Sequence, residues 1–110
     1  MTLNYLTSEN YTRLVEKSTT PVIVDFYADW CMPCKMMGPI FEDLSKDYAG
    51  KLTFLKLDTE KETALAEKFE VQGIPMLLVL KKGQEIGRLI GFAPKPVLKQ
   101  RIDGVLSQKQ

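Results

Sequence analysis

Apolar residues change their spacing several times along this chain, and each change marks a new element. Residues 22–28 are almost continuously apolar, β-branched and aromatic, which predicts a strand covered on both faces. From 33 to about 48 the period lengthens: Met36, Met37, Ile40, Phe41, Leu44 and Tyr48 recur at helical spacing, and Gly50 stops the run. Upstream, Thr7 or Ser8 is the expected N-cap of a helix with Tyr11, Leu14 and Val15 on one stripe, ending near Ser18-Thr19-Thr20-Pro21. Downstream, residues 52–58 read as a second strand and 61–69 as a short helix turning Ala64, Leu65 and Phe69 inward. Residues 76–80 and 85–90 form the two arms of an antiparallel hairpin around Lys82-Gly83-Gln84. A last helix begins near Pro94 and carries Val97, Leu98, Ile102, Val105 and Leu106. The order predicts an α/β protein: a central mixed β-sheet flanked by helices on both faces.

No internal repeat, low-complexity tract or linker breaks this order, so residues 1–110 are expected to form one domain. A chain that is 45% hydrophobic and 26% charged is ordinary for one globular core. Fifteen basic against fourteen acidic residues leave a formal net charge of +1, which points away from nucleic acid and from anionic membranes. Lys81-Lys82 and the basic residues of 95–101 read as solvated faces. The longest clearly apolar later stretch, 76–80, is too short to cross a bilayer, and Met-Thr-Leu-Asn-Tyr carries no signal-like basic and apolar segments. A cytoplasmic monomer is the expectation.

The chain's only two cysteines lie in Trp30-Cys31-Met32-Pro33-Cys34-Lys35, where the apolar strand gives way to the helix. With Pro33 opening that helix, Cys31 lies at its edge and Cys34 in its first turn, so both thiols project to one side. Such a pair closes a disulfide with little backbone movement once the Cβ atoms are roughly 4 Å apart. First-turn N–H groups have no helical acceptors and carry partial positive charge, which favours a thiolate at Cys31. A redox dithiol is the leading reading. Two buried apolar thiols, or half of a zinc site, stand beside it; the latter lacks ligands, since there is no histidine and no third cysteine. Without a signal sequence, the pair points to a transient disulfide in a reducing compartment.

Asp25 is an acid within Val22-Ile23-Val24-Asp25-Phe26-Tyr27, where burial disfavours the charged carboxylate and makes it a candidate proton carrier. A polar residue satisfied by a backbone group is the plainer alternative. Lys56, between Leu55 and Leu57, reads on its own as a lysine guarding an edge strand.

Further signatures accompany the dithiol. Asp25-Phe26-Tyr27-Ala28-Asp29-Trp30-Cys31, Pro33-Cys34-Lys35, Pro39, Lys56-Leu57-Asp58, Gly73-Ile74-Pro75, Gly83 and Gly91 follow one another in the order found in thioredoxins. The chain resembles that family over nearly its whole length. The resemblance implies the thioredoxin fold and a protein-disulfide reductase in which Cys31 attacks a substrate disulfide and Cys34 resolves the mixed disulfide. That division fits the chemistry: the attacking thiolate must be reachable, and the resolving thiol can be shielded. No bound cofactor is implied beyond the redox-active Cys31–Cys34 disulfide, and the implied partners are protein disulfides and a thioredoxin reductase.

The same resemblance places Asp25 behind Cys34 as a proton carrier, with Lys56 beside it opposing the desolvation. It also implies a cis bond before Pro75, which sequence alone reads only as a turn before a strand, and leaves the Ile74 backbone open to an extended substrate peptide. Trp30, Met32, Pro33, Gly73 and Gly91 complete the implied docking surface. Pro39 is expected to kink the dithiol helix.

Three positions depart from the family pattern: Met32 where glycine is usual, Tyr27 where tryptophan is usual, and Met76 where threonine is usual. These departures are expected to gather around the active surface and to narrow or shift the partner range. Two other functions stay open for such a chain: a disulfide isomerase or oxidant with a less reducing dithiol, and a partner-binding module on the same scaffold.

Overall fold

The computed structural model describes residues 3–108 and builds them around a five-stranded sheet. The strands β1 (Asn4–Tyr5), β2 (Val22–Tyr27), β3 (Thr53–Asp58), β4 (Met76–Lys81) and β5 (Gln84–Ile90) stand side by side in the order β1-β3-β2-β4-β5. β1, β3 and β2 run parallel, while β4 is antiparallel to β2 and β5 to β4. Helices α1 (Met32–Asp47), α2 (Thr63–Lys68) and α3 (Lys95–Ser107) complete the mixed α/β architecture. The two-residue β1 has no counterpart in the sequence reading, because two residues are too few to display an alternation.

Alternation along the strands divides the interior in two. Val22, Val24 and Phe26 of β2, with Leu55 and Leu57 of β3 and Met76, Leu78 and Leu80 of β4, pack with Tyr11, Val15, Leu65 and Phe69. Ile23, Phe54, Leu77 and Val79 point to the other side and pack against α1 and α3 through Met37, Phe41, Leu44, Leu98 and Ile102. β2 therefore reads as a continuous apolar run because each of its faces has its own helical cover.

Three local expectations are corrected. The predicted first helix is a π-helical segment, Thr12–Glu16, in which the Lys17 N–H donates to the Thr12 carbonyl at 2.9 Å. Its N-cap is Tyr11, with no side-chain cap, rather than Thr7 or Ser8; Thr7 instead closes the turn ahead of it, where Asn10 N–H donates to Thr7 Oγ1 at 3.2 Å and Thr7 N–H donates to Asn10 Oδ1 at 2.8 Å. The wider turn still buries Tyr11 and Val15, which is all the apolar stripe requires. In α2 the buried stripe is Leu65 with Phe69, four positions apart, and Ala64 is exposed, since one step along a helix rotates a side chain off the stripe. Met36, counted with the apolar residues at helical spacing in α1, is 56% exposed.

β4 is held by its pairing with β2, and two further contacts fix β5 to the rest of the molecule. A Cβ at Gly87 would lie 2.6 Å from both methyl groups of Val105, so β5 meets α3 where only glycine fits. Arg88 donates to the carbonyls of Phe69 at 2.7 Å and Glu70 at 3.3 Å, with Glu85 holding the guanidinium at 2.9 Å. This clamp satisfies carbonyls left free after α2 and ties the segment leading to Ile74 to β5.

Candidate active site

The turn after β2 delivers Cys31 to the start of α1. Cys31 is the N-cap, with φ −90° and ψ 110°, and its Sγ accepts a hydrogen bond from the Cys34 N–H at 3.3 Å. Met32 and Pro33 are the first two helical residues, and the fixed φ of proline suits that position. One turn brings the Cα atoms of Cys31 and Cys34 to 5.2 Å, and the two are joined by a disulfide. The sulfur that caps a helix also sits at the positive end of its dipole, so charge is favoured at Cys31 when the bond opens.

Exposure does not separate the two sulfurs as expected. Cys31 is 5% and Cys34 4% exposed, because both pack with Ala28 beneath Tyr27 and Ile74. Their surroundings differ instead. Cys31 Sγ lies 3.9 Å from the carbonyl oxygen of Ile74, in the segment before the cis-proline. Cys34 lines a cleft of about 300 Å³ that runs inward between α1 and the sheet.

Asp25 is at the floor of that cleft. Strand parity turns it with Ile23 toward α1, and it is 1% exposed. Its Oδ1 is buried without a hydrogen-bond partner among the described residues. Burial pushes the Asp25 carboxyl up to about 7 from an ordinary 3.8, and the nearby Lys56 ammonium pulls in the opposite direction. Lys56 is the register partner of Asp25 on β3, as the resemblance implies. Its ammonium stands 3.8 Å from Glu42 Oε1, and 5.3 Å and 5.7 Å from the ring centroids of Tyr27 and Tyr5. Desolvation and a side-chain hydrogen bond with Tyr5 raise the Tyr27 hydroxyl well above the usual tyrosine range, so it stays neutral.

The remaining sequence-named residues form the rim. Trp30 is 69% and Met32 65% exposed, flanking Cys31 with apolar surface in solvent, and Pro33 is exposed beside them. The Ile74–Pro75 bond is cis; Ile74 is partly buried and Pro75 buried. Gly91 has φ 92°, a conformation glycine adopts without penalty, and its N–H donates to the Pro75 carbonyl at 2.8 Å. Gly73 lies beside Ile90, whose Cγ2 would be 3.6 Å from an added Cβ. Of the three departures from the family pattern, Met32 and Tyr27 are at the site. Met76 is not: at 1% exposure it belongs to the core on the far side of the sheet, turned there by strand parity. Pro39 lines the cleft, and α1 continues through it to Asp47.

Two residues of the cleft were missed in the sequence. Glu42 carried a signal, since Cys34, Gly38 and Glu42 are spaced by four and share one stripe of α1. Tyr5 carried none, because it arrives on the two-residue β1. Among the described residues no cluster of three or more His, Cys, Asp or Glu side chains could hold a metal ion, and no helix is long and apolar enough to cross a membrane.

Known proteins share this arrangement. The family profile described as thioredoxin matches residues 2–104. Thioredoxins of Staphylococcus aureus strains COL and MW2 are each 47% identical to this chain over 81 residues, covering 74% of this chain and 78% of the relative. The chain therefore belongs to the thioredoxin family, and with its Cys31–Cys34 disulfide it is a thiol-disulfide oxidoreductase.

Proposed function

We propose that this thioredoxin-family chain, acting as one domain over residues 1–110, is a cytoplasmic, monomeric reductant of protein disulfides, recharged by a thioredoxin reductase. The observation that carries the reading is the asymmetry of the dithiol: Cys31 caps α1 at the positive end of its dipole, while Cys34, and not Cys31, borders the cleft that holds Asp25. In the reduced protein the Cys31 thiolate attacks one sulfur of a substrate disulfide, forming a mixed disulfide and releasing the first substrate thiolate, which takes a proton from solvent. Cys34 then gives its proton to the Asp25 carboxylate and attacks Cys31 Sγ, expelling the second substrate thiolate. The Cys31–Cys34 bond forms, the second substrate thiolate takes its proton from solvent, and Asp25 releases the Cys34 proton to solvent, so two electrons from the protein and two protons by way of solvent have reached the substrate. Resolution is intramolecular and well oriented, a situation that reaches effective molarities on the order of 10⁵ M.

Lys56 tempers the desolvation of Asp25 so that the carboxyl titrates near neutrality rather than far above it. Trp30, Met32 and Pro33 on one side, with Gly73, Ile74, Pro75 and Gly91 on the other, frame the approach to Cys31 and receive the chain around the substrate disulfide. The exposed Met32 thioether adds adaptable apolar contact at this rim.

Two measurements test the proposal. Cys34→Ser is expected to trap substrate proteins covalently while Cys31→Ser traps none, and redox titration of the wild-type pair is expected to give a midpoint more reducing than the glutathione buffer. Equal trapping by both variants would overturn the assignment of roles. An oxidising midpoint would overturn the direction of transfer.

A further inference from the structure

Lys56 and Asp25 face each other across the β2–β3 register, yet no ion pair joins them among the described residues. The carboxyl keeps an unpartnered Oδ1, and the ammonium is held at the cleft mouth instead. Three groups share it there: the Glu42 carboxylate at 3.8 Å and the faces of Tyr27 and Tyr5. The Lys56 side chain is 18% exposed against 45% for Glu42, so the pair spans the boundary between the cleft and solvent.

We propose that Glu42 is a positioning residue for proton exchange at Asp25: by pairing with the Lys56 ammonium at the cleft mouth, it keeps that cation from closing on the Asp25 carboxyl. The inference rests on the reading of Asp25 as proton carrier and adds the element that sets its proton affinity. Removing the Glu42 charge has two consequences of the same sign. The ammonium loses its outer partner and is free to turn inward toward Asp25, its register partner on β2, and one negative charge leaves the cleft. Both favour the ionised form of Asp25.

Other groups around Asp25 stay fixed under this change. α1 contributes Cys34 and Lys35, the β2–α1 turn contributes Asp29, and β1 and β2 contribute Tyr5 and Tyr27. On β4 the residue opposite Asp25 is Leu77, which carries no charge.

The test is a ¹³C NMR titration of the Asp25 carboxyl in the oxidised full-length protein, for wild type, Glu42→Gln and Glu42→Asp. Glu42→Gln is expected to lower the midpoint by roughly half a unit or more, about threefold in proton affinity, with Glu42→Asp close to wild type. The pH profile of mixed-disulfide resolution is expected to move down with it. A Glu42→Gln midpoint that is unmoved or raised, with the wild-type midpoint still near neutrality, would overturn the positioning role alone. A wild-type midpoint in the ordinary carboxylate range would overturn the proton-carrier reading and this inference together.

Discussion

The two faces of the central sheet use the same strands for opposite ends. On the side of the π-helical segment and α2, β2 presents Val22, Val24 and Phe26 to an interior made of aliphatic and aromatic side chains. On the α1 side the same strand presents Ile23 and then Asp25, and β3 adds Lys56 behind Phe54. A displacement of one residue separates a buried phenyl ring from a buried carboxyl. One face is thus free to be packed for stability, while the other accepts an unsatisfied acid because the redox chemistry happens next to it.

That contrast breaks most sharply at Asp25. The carboxyl binds its proton more tightly folded than unfolded, so folding stability is highest below the unfolded value and falls as pH rises from about 4 to about 7. Asp25→Asn is therefore expected to stabilise the oxidised protein by on the order of 4 kcal/mol at about pH 8 and by little at about pH 4, measured by denaturant unfolding at both. The variant is also expected to slow resolution of the mixed disulfide. A pH-independent stability difference would mean that the acid is solvated.

The opposite face supplies the control. Leu78, fully buried beyond β2, is expected to cost about 3 kcal/mol when changed to alanine, equally at both pH values, since only volume and transfer are lost. A pH-dependent cost there would dissolve the distinction between the faces. A smaller effect sharpens it on the α3 side: Gly87→Ala drives a methyl group into Val105 and is expected to destabilise by about 1–3 kcal/mol, read as a shift of the unfolding midpoint, with the dithiol still active.

Much of this was legible in the residues. The apolar run of β2, the helical period of α1 and the hairpin around Gly83 gave the α/β layout, because each depends on a long or sharply punctuated pattern. The dithiol was legible for the same reason that it works: two cysteines in one helical turn leave few other uses. Elements whose signal is short or geometric were not visible. The π-helical turn keeps the same buried residues as an α-turn would, so the pattern does not distinguish them. The near-equal burial of Cys31 and Cys34 depends on Tyr27 and Ile74 covering them, a tertiary fact. Met76 was placed at the active surface by its position beside Pro75, and strand parity turned it into the core. Tyr5 and Glu42 meet Lys56 only once β1, β3 and α1 are assembled.

The atom that reacts is also the acceptor that closes the first turn of α1. Chemistry and scaffolding at Cys31 therefore come apart under a single substitution. Serine is among the preferred residues at a helix start, so its hydroxyl goes on receiving the Cys34 amide while offering no sulfur to exchange. The inert variant becomes an intact decoy: it meets a disulfide-bearing protein with the same surface and keeps it by contact alone, so its affinity measures recognition stripped of bond making.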